Sequence, residues 1–136
     1  MFILDTNIIS ELRRLERALP TLKAWAATVP AAQQYVSCIT IMELDVGALA
    51  IGRKDKVQGE ILNRWINNHV LPFFKDRILP IDTEIARRCA PLHVPNPHGD
   101  RDALIAATAL VHRMTIVTRN VADFAPTGVP ILNPWN

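Results

Sequence analysis

Short apolar runs alternate along this chain with longer segments in which apolar residues recur every three or four positions. The runs predict buried parallel strands at residues 2–4, 35–39, 77–81, 115–118 and 131–132. Pro80 interrupts the third run and places it at the edge of the sheet, because proline donates no backbone hydrogen bond. Strands that alternate with helices predict one α/β domain, with a parallel sheet of about five strands and helices on both faces.

The segments between the runs have helical periodicity. After the first run, four apolar residues share one face of a predicted helix, namely Ile8, Ile9, Leu12 and Leu15. Further helices are predicted at residues 20–30, 40–52, 54–72, 82–91 and 102–113, with a turn or short helix at 120–124. Residues 93–101 are rich in Pro and predict an irregular loop before the most strongly periodic helix.

Four acidic residues either follow a short apolar run or open a helical segment, and they are Asp5, Glu43, Asp102 and Asp123. In a parallel sheet all such transitions meet at one edge, the carboxyl ends of the strands, where ligands bind. Four carboxylates gathered there repel one another unless a cation neutralises them. Because Mg²⁺ and Mn²⁺ prefer carboxylate oxygens, the pattern predicts a divalent metal site. Polar neighbours that could orient ligands or bound water are Thr6, Asn7, Thr118 and Asn120.

Helix capping offers a purely structural interpretation of each acid taken singly. Asp5 could cap the helix that follows it. Thr40 and Glu43 form a capping-box pattern, in which Glu43 would reach back to the amide of Thr40. Asn120 could cap a short helical turn that contains Asp123. The common location of the acids at one sheet edge favours the metal site over four independent caps.

The helix predicted from Asp102 has two acids at its start. Asp102 would lie in the first turn, where the helix dipole favours a negative charge. Asp100 is interpreted as the N-cap of this helix, and Asp82 and Glu84 are interpreted as capping residues of the preceding one.

The net charge of +2 hides a local excess of positive charge. Setting the four acids aside leaves 15 Lys and Arg residues against 9 acids, an excess of six positive charges. Basic residues cluster at 13–17 and 53–56, and Arg101 and Arg119 flank the predicted site. Basic surface around an acidic metal pocket suits a polyanion such as nucleic acid, although scattered solvated arginines would account for the same numbers.

Composition indicates a single globular domain of 136 residues, 49% hydrophobic and 21% charged. The longest apolar stretches are too short to span a membrane, and no basic leader precedes Asp5, so a cytoplasmic protein is expected. Cys38 and Cys89 lie among apolar neighbours and are interpreted as buried free thiols. The tryptophans are interpreted as packing residues, and they are Trp25, Trp65 and Trp135.

The blocks around the four acids resemble the PIN-domain ribonucleases. These blocks are residues 2–7 (FILDTN), 40–44 (TIMEL), 102–109 (DALIAATA) and 117–124 (VTRNVADF). Their order and approximate spacing resemble the VapC toxins of bacterial toxin–antitoxin pairs, in the FitB-like branch, and so does the terminal segment ILNPW. The resemblance runs through residues 1–136 and implies one PIN domain. The Pro-rich loop at 93–101, which carries Asp100, is the chief departure from the family pattern.

The resemblance implies a function and partners that composition alone does not provide. It implies that Asp5, Glu43, Asp102 and Asp123 are the catalytic, metal-binding quartet, with Thr6, Asn7, Thr118 and Asn120 lining the same pocket. It also implies dependence on Mg²⁺ or Mn²⁺, an RNA substrate (tRNA or rRNA), a homodimer and a cognate VapB- or FitA-like antitoxin. The antitoxin would bind DNA, so that the toxin meets DNA only through it.

The reaction predicted for such a site is metal-assisted hydrolysis of an RNA phosphodiester bond. Arg101 and Arg119 are the predicted substrate-binding residues. Asp5→Asn or Asp102→Asn is expected to abolish cleavage and to leave the fold unchanged or slightly more stable, because repulsion between carboxylates is relieved.

Other functions remain open at the level of sequence. The protein could act mainly as an antitoxin-binding partner in a DNA-binding repressor complex, with weak or vestigial cleavage. A DNA nuclease is also possible, because the chemistry does not require a 2′-hydroxyl. Acid-rich phosphatases fit poorly, since Asn7 stands where they carry a second Asp. Phosphoacceptor domains fit poorly too, since Arg119 and Asn120 stand where they carry a Lys.

Overall fold

A computed structural model describes residues 1–14 and 20–135 of the chain. Five strands form one parallel sheet in the order β3-β2-β1-β4-β5. Their bounds are Phe2–Leu4 (β1), Gln34–Ser37 (β2), Ile78–Leu79 (β3), Thr115–Val117 (β4) and Ile131–Leu132 (β5). The predicted α/β class and the edge position of the third strand are confirmed. Leu15 and Arg17, which were assigned to a helix face and a basic cluster, lie outside the described residues.

The strand order places a switch point beside β1. The chain first runs outward from β1 to β2 and β3, and then returns to pair β4 on the other side of β1. Leu4 pairs Val117 at the carboxyl ends of β1 and β4. In parallel α/β sheets a ligand crevice opens where the order reverses, so residues that follow Leu4 and Val117 border this crevice.

Helices connect the strands. Their bounds are Thr6–Leu12 (α1), Pro20–Thr28 (α2), Cys38–Lys54 (α3), Lys56–Trp65 (α4), Leu71–Phe73 (α5), Thr83–Cys89 (α6), Asp100–His112 (α7) and Val121–Phe124 (α8). A π-helical segment, Ile66–Val70, joins α4 to α5. No helix of the described residues is both long enough and apolar enough to cross a membrane.

Neighbouring residues of β1 belong to opposite faces of the sheet. Leu4 packs into a cluster with Ile8 of α1 and Leu44 of α3. Ile3 packs into a second cluster with Ile105 of α7. Because side chains alternate along a strand, the two clusters lie on the two faces, and helices cover both as predicted.

The start of α3 differs from the prediction. The helix begins at Cys38 rather than Thr40, and the Ser37 hydroxyl caps it by accepting the Ile39 N–H at 3.0 Å. Strand β2 accordingly ends at Ser37, two residues earlier than predicted. The capping-box interpretation of Thr40 is therefore wrong, because Thr40 lies inside the helix and is fully buried.

Two further predictions about helix ends have opposite outcomes. Asp82 caps α6, where its carboxylate accepts the Ile85 N–H at 2.9 Å. Asp100 is not the N-cap of α7, since Gly99 holds that position and Asp100 is the first helical residue. Both cysteines are free thiols; Cys89 is buried as predicted, whereas Cys38 is half-buried.

Candidate active site

Asp5 follows β1 directly and is the N-cap of α1. Its Oδ1 atom accepts the backbone N–H of Thr6 at 2.8 Å, and Oδ2 accepts from the Asn7 amide at 3.2 Å and the Thr118 hydroxyl at 2.8 Å. The Asp5 carboxylate therefore caps α1 and also borders the crevice between β1 and β4. Burial raises the pKa of Asp5 above its ordinary value, and the hydrogen bond from Thr118 opposes that rise most strongly.

Thr118 follows β4 and is fully buried beside Asp5. Its hydroxyl donates to Asp5 and accepts the backbone N–H of Asn120 at 2.9 Å. The Asn7 amide nitrogen lies 3.4 Å from the same hydroxyl, and the Asn7 Oδ1 atom accepts the Arg119 N–H at 3.3 Å. These contacts join the ends of β1 and β4 and fix the Asp5 carboxylate.

Glu43 lies in the second turn of α3 and is half-buried. Its Oε1 atom accepts the Thr6 hydroxyl at 2.8 Å, a contact between α3 and α1. The carboxylate therefore faces the residue next to Asp5 rather than the amide of Thr40. Thr6 links two acids, because its backbone N–H bonds Asp5 while its hydroxyl bonds Glu43.

Asp102 lies in the first turn of α7 and is half-buried. Burial raises the pKa of Asp102 to about 6, with smaller contributions from the negative charges of Asp5, Asp123 and Glu43. The negative charges of the other three acids therefore reach Asp102.

Asp123 is exposed in the first turn of α8, and its backbone N–H donates to the Asn120 carbonyl at 3.1 Å. The Asn120 side chain does not cap this helix. The charge of Asp123 raises the pKa of both Asp5 and Asp102. Asp123 therefore contributes to the electrostatic field of the crevice from its outer rim.

The charge at this edge is uncompensated within residues 1–14 and 20–135. No Lys, Arg or His among them forms an ion pair with any of the four acids. His93 Nε2 lies 3.9 Å from Asp100 Oδ1, a contact that is an ion pair only when the imidazole is protonated. Carboxylate oxygens and an unbalanced negative charge suit Mg²⁺ or Mn²⁺. The described side chains do not, however, bring three His, Cys, Asp or Glu together as a formed metal site.

The two predicted substrate-binding arginines occupy different places. Arg101 is exposed in the first turn of α7, beside Asp102. Arg119 is exposed directly after Thr118, and its guanidinium lies over the indole of Trp135, 5.3 Å from the ring centroid. Trp135 is 16 positions from Arg119 in the sequence, and the pairing of β5 with β4 brings the two residues together, so no local pattern connects Trp135 with the site.

The sequence of this chain matches a known protein family. The sequence model of the PIN domain family matches residues 2–125. The chain is 35% identical over 142 residues to Toxin FitB of Neisseria gonorrhoeae, covering 100% of this chain and 99% of the relative. It is also 35% identical over 142 residues to VapC ribonuclease Y4jK of Sinorhizobium fredii, covering 99% and 98%.

Solved structures agree with the sequence comparison. The crystal structure of FitAcB from Neisseria gonorrhoeae superposes with a TM-score of 0.90 at 31% identity, covering 100% of this chain and 99% of that chain. A toxin-antitoxin complex from Klebsiella pneumoniae superposes with a TM-score of 0.69 at 32% identity, covering 98% of each chain. The parallel sheet and its flanking helices are thus shared over essentially the whole length.

Proposed function

The chain belongs to the PIN domain family, and on that premise we propose that it is the ribonuclease toxin of a bacterial toxin–antitoxin pair, acting in the cytoplasm. The proposed domain spans residues 1–136. The observation that carries the proposal is the set of four acids at the carboxyl edge, where Thr6 links Asp5 to Glu43 and no described cation is ion-paired with any of the four. Burial, and then the charges of the other three acids, raise the pKa of Asp102. The toxin and ribonuclease names of full-length relatives support it.

We assign the four acids Asp5, Glu43, Asp102 and Asp123 as ligands of Mg²⁺ or Mn²⁺. Such a cation makes water more acidic and stabilises charge on a reacting phosphate. Thr118 and Asn7 keep the Asp5 carboxylate oriented through hydrogen bonds, and Thr6 does the same for Glu43. Asn120 supports the same network through its N–H to Thr118. In this proposal the four acids supply the negative charge that binds the cation, and their neutral neighbours hold the carboxylates in position.

Substrate binding falls to the exposed cations at the rim. Arg101 and Arg119 stand next to Asp102 and Thr118 in sequence, and both are exposed. Guanidinium groups bind phosphate with paired hydrogen bonds, so these two residues would hold the RNA backbone beside the acids. Neither arginine is ion-paired with an acid of the described residues, which leaves both free to bind phosphate.

The proposed partners follow from the family. We assign a cognate VapB- or FitA-like antitoxin as the inhibitor of this protein, a homodimer as its assembly, and DNA as a ligand reached only through the antitoxin. The Klebsiella toxin-antitoxin complex, similar over 98% of both chains, supports the antitoxin assignment.

The proposal is tested with antitoxin-free protein and a total small-RNA pool, with Mn²⁺ or Mg²⁺ and with EDTA. Discrete cleavage by wild type, lost in EDTA and in Asp102→Asn, is the expected result. Asp45→Asn is the matched control, because Asp45 lies on the same helix as Glu43 but is exposed. Absence of RNA cleavage by folded, metal-supplied wild type would favour the antitoxin-binding role, and cleavage of DNA alone would favour a DNA nuclease.

A further inference from the structure

The side chains of Arg119 and Trp135 are in contact just beyond the ends of two paired strands, β4 and β5. Val117 of β4 pairs Leu132 of β5, and the Thr118 N–H donates to the Leu132 carbonyl at 3.1 Å. The segments that follow β4 and β5 then leave the sheet at its carboxyl edge. Arg119 is the second residue after β4 and Trp135 the third after β5, so the pairing register brings guanidinium and indole together.

The arginine is tied to the acidic crevice through its backbone. Its N–H donates to Asn7 Oδ1 at 3.3 Å, and the Asn7 amide donates to Asp5 Oδ2 at 3.2 Å. Arg119 is therefore two hydrogen bonds away from Asp5. Its side chain is exposed and forms no ion pair with an acid of the described residues. The backbone of Arg119 therefore borders the crevice, and its guanidinium has no ion-pair partner among the described residues.

The indole is the fixed member of the pair. Trp135 is half-buried against the apolar cluster that contains Leu4, and the preceding Pro134 is buried. The backbone N–H of Trp135 donates to Asn133 Oδ1 at 3.0 Å. A free arginine side chain loses rotamer entropy when it is immobilised. A ring that holds the guanidinium by a cation–π contact therefore reduces the entropy lost on phosphate binding.

From these contacts we infer that Trp135 is a positioning residue, which holds Arg119 at the rim of the acidic crevice so that its guanidinium binds a phosphate of the RNA substrate. The inference rests on the proposed ribonuclease function. A guanidinium held over the face of a ring still has N–H groups that point away from the ring and can donate to phosphate oxygens. The role is binding rather than chemistry, so its signature is in KM and not in kcat.

The test compares Trp135→Ala, Trp135→Phe, Arg119→Ala and the double variant Arg119→Ala with Trp135→Ala. We expect Trp135→Ala to raise KM for RNA about two- to fivefold at unchanged kcat, the size of an exposed cation–π contact. Trp135→Phe is expected to restore most of the loss, because a ring remains. The double variant should be no worse than Arg119→Ala alone, since the indole acts only through the arginine. Arg87→Ala, an exposed arginine on α6, controls for net charge.

Salt dependence gives a second readout that misfolding would not mimic. Binding of a labelled single-stranded RNA is measured in an Asp102→Asn background, where it is not cleaved. Loss of one phosphate contact lowers the slope of log K against log salt by about 0.7, and Arg119→Ala should show this change.

The possible outcomes separate the two proposals. RNA cleavage by wild type with an unchanged KM in Trp135→Ala would overturn this inference and leave the ribonuclease intact. An additional loss of RNA affinity from Trp135→Ala in the Arg119→Ala background would show that Trp135 acts through the fold and would also overturn it. A lower melting temperature of Trp135→Ala is expected from the lost packing of the ring, so KM is measured well below the unfolding transition of every variant. Failure of wild type to bind RNA at all would overturn both.

Discussion

The hydroxyl of Thr118 lies 2.8 Å from Oδ2 of Asp5, although 113 positions separate the two residues in the chain. Both residues immediately follow adjacent parallel strands, and both are nearly inaccessible to solvent. A buried carboxylate is stable only when hydrogen bonds replace the water it has lost, and this hydroxyl supplies one of three. The neutral threonine thereby fixes the position of the acid and opposes the rise in its pKa that burial causes.

Thr118→Val is expected to lower both stability and cleavage. The substitution removes the donor to Asp5 and the acceptor of the Asn120 N–H. A hydrogen bond to a charged group contributes about 1.5–3 kcal/mol, and loss of a group that orients a metal ligand reduces activity about 10- to 100-fold. Urea unfolding and RNA cleavage measure the two effects. Thr118→Ser keeps the hydroxyl and should stay near wild type; equal losses in both variants would contradict this account.

Asp102→Asn is expected to abolish cleavage while making the metal-free protein more stable at neutral pH. The folded state raises the pKa of Asp102 from 3.8 to about 6. The folded protein therefore binds a proton that the unfolded chain has released, and the wild type loses stability as pH rises from about 4 to 6. Asparagine carries no charge and avoids this loss. Because Asp102 is half-exposed, solvent screening reduces the gain to about 1 kcal/mol.

Urea unfolding in EDTA at pH 4 and pH 7 measures this gain. We expect Asp102→Asn to exceed wild type in unfolding free energy at pH 7 and to exceed it by less at pH 4, where Asp102 of the folded protein is protonated. Added Mg²⁺ should stabilise the wild type and not the variant. A variant less stable than wild type at pH 7 would show that the other acids do not destabilise the Asp102 carboxylate.

Asp5→Asn should behave in the opposite way with respect to stability. The sequence alone suggests relief of repulsion at both positions, but the Asp5 oxygens accept hydrogen bonds from Thr6, Asn7 and Thr118. An asparagine amide group turns one acceptor into a donor that faces other donors. We expect an unfolding free energy about 1–3 kcal/mol below wild type together with loss of cleavage. Stability equal to that of Asp102→Asn, measured side by side, would contradict the hydrogen-bond assignments.

The sequence was sufficient to predict a shared edge for the acids that follow β1, β2 and β4, but not for Asp102, which lies at the start of α7, after the helix α6 rather than after a strand. Strand–helix alternation implies a parallel sheet, and a parallel sheet gathers every strand-to-helix transition at its carboxyl side. What it did not contain was the order of the strands. That order puts β4 and not β3 beside β1, and so makes Thr118 the neighbour of Asp5. The contact of Arg119 with Trp135 depends in the same way on which strand pairs β4.

Helix starts were predicted less well, for a local reason. The residues between Ser37 and Thr40 are Cys and Ile, which suit a buried strand as well as a buried helix, so the pattern does not mark the change. Ser37 and Thr40 both carry a hydroxyl that could cap α3, and the sequence pattern does not distinguish them; in the structure Ser37 is the cap. At α7 the first helical residue is Asp100 and the cap is Gly99, a residue without a side chain to signal it.

Ser37 and Thr40 provide a test of where α3 begins. Ser37 accepts the Ile39 N–H, and we expect Ser37→Ala to lower the unfolding free energy by about 1 kcal/mol. Thr40 is fully buried, and its hydroxyl has no hydrogen-bond partner among the described residues. Thr40→Val should therefore leave stability unchanged or raise it by up to about 1 kcal/mol. The reverse pattern in urea unfolding, a loss at Thr40 and none at Ser37, would place the helix start at Thr40.

Two glycines on the α3–α4 pair should respond oppositely to alanine. A Cβ at Gly59 would lie 2.4 Å from the Cα of Gly52 and 3.2 Å from the carbonyl oxygen of Ala48, so the helices would have to separate. A Cβ at Gly47, which lies inside α3, meets nothing within 4 Å. We expect Gly59→Ala to lower the unfolding free energy by about 1–3 kcal/mol, and Gly47→Ala to raise it by about 0.5–1 kcal/mol through reduced backbone entropy of the unfolded chain.

Thermal and urea unfolding of the two variants measure these changes. The substitution is Gly→Ala in both, so the difference between the variants reports the contact between α3 and α4. A stabilised Gly59→Ala variant would mean that α3 and α4 do not approach each other through Gly52. Because Glu43 lies on α3, a displaced α3–α4 pair should also weaken cleavage in Gly59→Ala, since the Glu43 carboxylate would lose its 2.8 Å hydrogen bond from Thr6. Restoration of cleavage by added metal would argue against that displacement, whereas a loss that persists at saturating Mn²⁺ would support it.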